Sequence, residues 1–92
     1  IDGTIIGPYD LSGSMGKPGH YEDQDVVEIL LEYENISKKS EKPFGYHVIK
    51  PDHKLLLEKI EAGYTFLAFS LDILFLGSQV RLEMKNFKKA LK

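Results

Sequence analysis

The residues best suited to chemistry lie in the block Gly7–Ser12, which reads Gly-Pro-Tyr-Asp-Leu-Ser and directly follows the run Ile1–Ile6. The apolar character of that run predicts a buried strand. The carboxylate of Asp10 is therefore expected just past the carboxyl end of a strand, in a glycine-rich loop. Ligands bind at this end of the strands in parallel α/β folds. Asp10 is thus a candidate binding residue, and an Asx turn within the loop is the alternative role for its side chain.

The other polar candidates have simpler interpretations. His47 lies within a predicted apolar strand and is interpreted as a hydrogen-bonded core histidine. His20 and His53 are interpreted as solvated side chains. Ser12 and Ser14 are interpreted as residues that shape the loop, with contact to a ligand as the alternative.

Composition excludes several classes of protein. The chain has 12 Lys and Arg against 14 Asp and Glu, a net charge of −2, so no basic field indicates nucleic acid. It has no cysteine, which excludes disulfides and thiolate metal sites. No apolar run approaches about 18 residues, so no membrane span is expected. Asp2 and Gly3 interrupt any signal-like start, and a cytoplasmic location is the default expectation.

Strand and helix patterns alternate along the rest of the chain. Strands are predicted near residues 2–6, 44–49 and 65–70, and short connections through helices imply parallel pairing. Three strands leave two exposed sheet edges, and Ile1 is not an initiator Met and lies inside a predicted strand. Since a (β/α)8 barrel needs about 250 residues, residues 1–92 are expected to be the C-terminal portion of a single barrel domain, comprising its last three strand–helix units.

The helix boundaries follow from capping residues. Residues 8–24 are predicted to be a loop, after which Asp25 is expected to be an N-cap, with Glu28 completing a capping box. Gly63 suits a left-handed C-terminal cap, and Asp72 is expected to cap the last helix. The last helix carries one apolar stripe, which consists of Ile73, Leu76, Val80, Met84, Phe87 and Leu91.

Three segments together resemble the HpcH/HpaI aldolase family, also called the 4-hydroxy-2-oxoheptanedioate or 2-keto-3-deoxy-sugar-acid aldolase family. Residues Asp2–Gly16 contain the specific Gly-Pro-x-Asp-Leu-Ser block. Residues Lys42–Val48 and Gly63–Asp72 are similar to the seventh and eighth strands of that family. The resemblance implies a TIM barrel of the phosphoenolpyruvate/pyruvate type. The citrate lyase β-subunit and malyl-CoA lyase types share a looser version of the block.

The resemblance also implies a site. Members of the family are class II aldolases, which make or break a carbon–carbon bond next to a pyruvate enolate held on Mg²⁺, Mn²⁺ or Co²⁺. By this resemblance Asp10 is a metal ligand, and Tyr9 with Asp10 binds the pyruvate moiety, largely through backbone groups. The other functional residues of the family lie upstream, so no catalytic residue is expected in this segment. Better-known members have a small residue at the position of Tyr9, which leaves the aldehyde substrate open.

Two alternatives to a metal-dependent pyruvate aldolase are retained. One is a catalytically inactive, truncated or proteolysed fragment, since the 92-residue piece alone is expected to lack activity. The other is a lyase acting on a coenzyme A thioester. The partners that the resemblance implies are a small 2-oxo acid, an aldehyde and further copies of the chain. The family assembles as hexamers built from dimers that exchange the last helix.

Overall fold

Three parallel strands form one sheet in the computed structural model, which describes residues 1–91. In sheet order the strands are β1 (Thr4–Ile6), β2 (Phe44–Val48) and β3 (Phe66–Phe69). The helices are α1 (Pro8–Ser14), α2 (Gln24–Ser40), α3 (His53–Glu61) and α4 (Asp72–Ala90). The three predicted strands and their parallel pairing are confirmed, although each strand is shorter than predicted.

The central strand β2 has two different faces, because successive side chains of a strand point to opposite sides. On one face, Phe44, Tyr46 and Val48 are buried and form the core with Val26 and Leu30 of α2. The side chains of α3 that adjoin this core are only partly buried. The hydrophobic core therefore lies between the sheet and the helices on one side of it.

The opposite side of the sheet, here called the open face, carries Ile5, Gly45, His47, Phe66 and Ala68. In the pairing of the strands, Gly45 of β2 lies between Ile5 of β1 and Phe66 of β3, and His47 lies beside Ala68. Half of the surface of Ile5 and 60% of that of Phe66 are exposed. In a closed barrel this face is the interior, so the described residues form one side of a barrel wall.

The predicted loop over residues 8–24 is wrong in its first part, because Pro8–Ser14 form α1. Pro8 suits the first turn of a helix, where its missing N–H costs nothing and its fixed φ matches helical geometry. The N–H of Leu11 donates to the carbonyl of Gly7 at 2.9 Å, which closes the first turn. Its one glycine, Gly13, does not prevent this helix, since the helix is short and is held by the buried Pro8 and Ser12.

The predicted caps of two helices are also wrong by one or two residues. The N-cap of α2 is Asp23, whose carboxylate accepts a hydrogen bond from the N–H of Asp25 at 3.1 Å. The N-cap of α4 is Leu71, and Asp72 is the first helical residue. Gly63 has the predicted positive φ, 103°, just after α3.

Helix α4 has no buried residue. The predicted apolar stripe of this helix is exposed throughout, at 48–70% of the surface of each side chain: Ile73, Leu76, Val80, Met84, Phe87 and Leu91. Among the described residues, no helix is both long and apolar enough to cross a membrane.

Candidate functional site

Asp10 lies in the first turn of α1, directly beyond the carboxyl end of β1. Its side chain is exposed and makes no hydrogen bond or ion pair within residues 1–91. One carboxylate oxygen is turned back toward Gly7, where a Cβ would lie 3.3 Å from it. The structure thus places Asp10 at the predicted end of the strand, but on a helix rather than in a loop, and gives its carboxylate no structural partner there.

Two backbone N–H groups are also without a hydrogen bond at this point within residues 1–91. The first N–H bonded within α1 is that of Leu11, so the N–H groups of Tyr9 and Asp10 remain outside the helical hydrogen bonds. The Tyr9 side chain is 54% exposed beside them. Free N–H groups can bind a carboxylate or carbonyl oxygen, while the Asp10 carboxylate offers the oxygen ligands that hard cations prefer.

The serines of α1 have structural roles, as predicted. Ser12 is fully buried; its hydroxyl donates to the carbonyl of Tyr9 at 2.9 Å and accepts from the N–H of Gly19 at 3.1 Å. The hydroxyl of Ser14 donates to the carbonyl of Leu11 at 2.8 Å. These hydrogen bonds fix α1, and therefore Asp10, against the loop that follows.

An ion triad holds that loop to the start of α2. The ammonium group of Lys17 lies 2.9 Å from the carboxylate of Asp23 and 2.8 Å from that of Asp25. Hydrogen bonds to Asp25 and Asp23 raise the pKa of Lys17, and the hydrogen bond from Lys17 lowers the pKa of Asp23. Lys17 and Asp23 are half-buried and Asp25 is exposed, so solvent screens the triad, which orders the loop more than it stabilises the fold.

The histidines do not gather around Asp10. His20 and His53 are exposed, in agreement with the prediction. His47 lies on the open face, half-buried rather than in the core, and its Nε2 donates to the carbonyl of Ser70 at 2.9 Å. Within residues 1–91 no three His, Cys, Asp or Glu side chains group as they would around a metal. Asp10 would therefore be the contribution of this segment to a metal site that needs further ligands.

Sequence reasoning missed Ser70, which joins β3 to α4. Ser70 is buried and has a φ of 55°, a left-handed conformation uncommon outside glycine. Its N–H donates to the carbonyl of Val48 at 2.6 Å and its own carbonyl accepts from His47. Nothing in the sequence near Ser70 signals a positive φ, since the usual marker is a glycine or asparagine.

A cavity of about 640 Å³ on the helical side of the sheet was also not predicted. The cavity lies between α2, α3 and the loop that precedes α2. Its walls include Tyr46, Glu34 and Lys59. The ammonium group of Lys59 lies 4.1 Å from the ring centroid of Tyr46. Burial raises the pKa of Tyr46 to about 12. The pKa of Tyr64 is also raised, mainly by burial and further by the carboxylate of Glu34. This cavity is on the side of the sheet away from the open face.

The sheet is parallel, has helices on one side and an open face on the other, and places Asp10 just past the carboxyl end of a strand. This arrangement is that of part of a (β/α)8 barrel. Solved structures agree with this assignment. An HpcH/HpaI aldolase from Desulfitobacterium hafniense matches 96% of the chain with a TM-score of 0.83 and 25% identity. An HpcH/HpaI aldolase/citrate lyase family protein from Burkholderia cenocepacia matches with a TM-score of 0.85 and 24% identity. These matches cover 34% of each solved chain.

Curated relatives give the same result, although no family model matches the chain. The hydroxypyruvate/pyruvate aldolase of Sagittula stellata is 36% identical over 72 residues, 78% of this chain and 28% of that protein. The pyruvate aldolase of Rhizobium etli is 34% identical over 77 residues, 84% of this chain and 30% of that protein. The resemblance to the HpcH/HpaI aldolase family is confirmed, and the chain matches the C-terminal part of these relatives. It spans less than a third of the length of these two aldolases.

Proposed function

We propose that the protein containing this chain is a carbon–carbon lyase, a class II pyruvate aldolase that joins pyruvate to an aldehyde or reverses that reaction. The resemblance to the family and the names of the relatives support this activity. The observation that carries the site is the exposed Asp10 carboxylate, which has no partner in residues 1–91 and stands at the carboxyl end of β1.

Asp10 would be one ligand of a divalent cation, Mg²⁺, Mn²⁺ or Co²⁺. The fit is partial, since a hard ion of this kind takes about six oxygen ligands and Asp10 supplies one or two. When bound, the cation supplies Lewis-acid chemistry that offsets negative charge developing on an enolate oxygen. The backbone N–H groups of Tyr9 and Asp10 would hold the pyruvate carboxylate and so orient it at this edge of the sheet.

The test compares two aspartates that flank β1, Asp10 at its carboxyl end and Asp2 at its amino end. Both side chains are exposed, so removing either leaves the core intact. In the full-length protein, Asp10→Ala is expected to reduce metal-dependent pyruvate release from a 4-hydroxy-2-oxo acid by at least about 100-fold, or about 2.7 kcal/mol of transition-state stabilisation. Asp2→Ala is the matched control and is expected to keep wild-type activity.

Circular dichroism of both variants separates loss of the site from loss of the fold. A folded Asp10→Ala variant with wild-type activity and an unchanged response to added metal would remove Asp10 from the site. Absence of aldol cleavage in the wild-type protein, tested with each of the three cations, would reject the aldolase function.

We also propose that α4 packs against another copy of the chain. All six apolar side chains of its stripe are exposed in residues 1–91, and exposed apolar surface on this scale usually marks a contact. An assembly in which neighbouring subunits exchange this helix would cover the stripe.

A further inference from the structure

His47 is the one ionisable side chain on the open face among the described residues of β1, β2 and β3. It stands next to the carboxyl end of β2, beside Ala68 of β3 in the register. Its neighbours along the strand, Tyr46 and Val48, point into the core, so the ring of His47 projects to the other side. This is the side and the end of the sheet on which a parallel barrel binds its ligand.

The Ser70 carbonyl fixes both the orientation and the tautomer of the ring. A carbonyl oxygen can only accept, so the Nε2 of His47, 2.9 Å away, carries the proton. In the neutral ring Nδ1 is then a hydrogen-bond acceptor, and it bonds to nothing in residues 1–91. Because Ser70 is itself held through its N–H to the carbonyl of Val48, the ring is tied to the backbone of both strands.

We propose that His47 is a specificity-determining residue, whose free Nδ1 accepts a hydrogen bond from a hydroxyl group of the aldehyde substrate. This inference rests on the proposed aldolase function. The pyruvate half is assigned to the start of α1 at the end of β1, and β2 is the adjacent strand, so His47 borders the space left for the aldehyde. A lone-pair acceptor selects a donor, which favours a hydroxylated aldehyde over an apolar aldehyde or one that bears a carboxylate.

The test measures kcat/KM of the full-length protein with two aldehydes of equal size, glycolaldehyde and propanal, each combined with pyruvate. The wild-type protein is expected to prefer glycolaldehyde. His47→Leu and His47→Met both remove the acceptor and are expected to lower the glycolaldehyde-to-propanal ratio by about tenfold. His47→Gln keeps a donor for Ser70 and an acceptor for the substrate, and is expected to retain more of the preference.

Phe66→Leu is the matched control, since Phe66 lies on the same open face at the amino end of β3. It is expected to leave the ratio unchanged. If His47→Leu does not fold, the glycolaldehyde-to-propanal ratio of His47→Met is compared with that of His47→Gln instead. Active Leu or Met variants with the wild-type ratio would overturn the role of His47 and leave the aldolase function standing. Cleavage of the 4-hydroxy-2-oxo acid without any activity toward glycolaldehyde would overturn the role of His47 alone, and absence of both activities would overturn both.

Discussion

At the scale of single residues, Gly45 shows how closely β2 and β3 approach each other. A Cβ at this position would lie 2.6 Å from the carbonyl oxygen of Phe66, a backbone atom that cannot move without disturbing the strand pair. Gly13, in α1, has nothing within 4 Å of the equivalent point. The two glycines therefore form a matched pair for testing the close approach.

Gly45→Ala is expected to destabilise the full-length protein by about 1–3 kcal/mol, the usual cost of forcing atoms into a packed region. Gly13→Ala is expected to be neutral or to stabilise it by up to about 1 kcal/mol, since alanine favours the helix. Urea unfolding of both variants measures the difference. A Gly45→Ala protein as stable as Gly13→Ala would contradict the packing described for β2 and β3.

Residue types and spacing predicted Asp10 as a candidate binding residue, because a carboxylate just past an apolar strand is readable from the sequence. Its role as a metal ligand was implied only by the family resemblance. The hydrogen bond between His47 and Ser70 could not be predicted in the same way. It depends on the positive φ of Ser70, which a serine in the sequence does not predict. It also depends on which face of β2 packs against the helices. The sequence indicated a hydrogen-bonded histidine, and only the fold shows that its ring is on the open face.

At the scale of elements, the core between the sheet and the helices contains tyrosines that must stay neutral. Burial raises the pKa of Tyr46 to about 12, from an ordinary value of 10.0. Between these two pH values the unfolded chain loses the phenolic proton and the folded chain keeps it. The contribution of the neutral Tyr46 phenol to stability is therefore fully present below the ordinary pKa. The free energy of unfolding falls as the pH rises from that value toward 12.

Tyr46→Phe is expected to reduce this alkaline loss of stability, measured from urea midpoints at several pH values across the same window. Tyr9→Phe, which removes an exposed phenol, is the control and is expected to follow the wild-type curve. Equal alkaline destabilisation of Tyr46→Phe and wild type would show that the buried phenol does not link stability to pH.

The elements themselves were predicted unevenly, for physical reasons. The strands and the three longer helices have apolar periodicity that tertiary packing reinforces. Helix α1 has glycine, proline and serine in place of that periodicity, and it forms because Pro8 starts a turn and Ser12 packs beneath it. The cap of α2 is Asp23 rather than Asp25 because the Asp23 carboxylate accepts from the N–H of Asp25. Lys17 binds both carboxylates in addition, a contact that local capping rules do not contain.

At the scale of the whole molecule, the assembly proposal predicts that one change in the α4 stripe weakens association. Phe87 is 56% exposed within the stripe, and Asn86 is its exposed polar neighbour. In the full-length protein Phe87→Lys is expected to lower the assembled mass in light scattering. Asn86→Lys adds the same charge on the adjacent position and is expected to preserve that mass. A monomeric wild-type protein, or a Phe87→Lys protein of unchanged mass, would contradict the proposal.

The barrel assignment followed from the alternation of strands and helices, and the parallel sheet and the solved structures confirm it. Within residues 1–91 no cluster of acidic residues or histidines can hold a metal, so the further ligands of the proposed site come from outside this segment. A single carboxylate at a strand end predicts where a ligand binds better than it predicts which ligand.

The most direct test of the central claim is a crystal structure of the full-length protein grown with Mn²⁺, with the metal located by its anomalous scattering. The account predicts one Mn²⁺ at the carboxyl ends of the strands, with a carboxylate oxygen of Asp10 at about 2.0–2.3 Å, as expected for a hard divalent ion. Soaked pyruvate is expected to contact the backbone N–H groups of Tyr9 and Asp10. A Mn²⁺ ion bound elsewhere, with the Asp10 carboxylate free in solvent, would contradict the account.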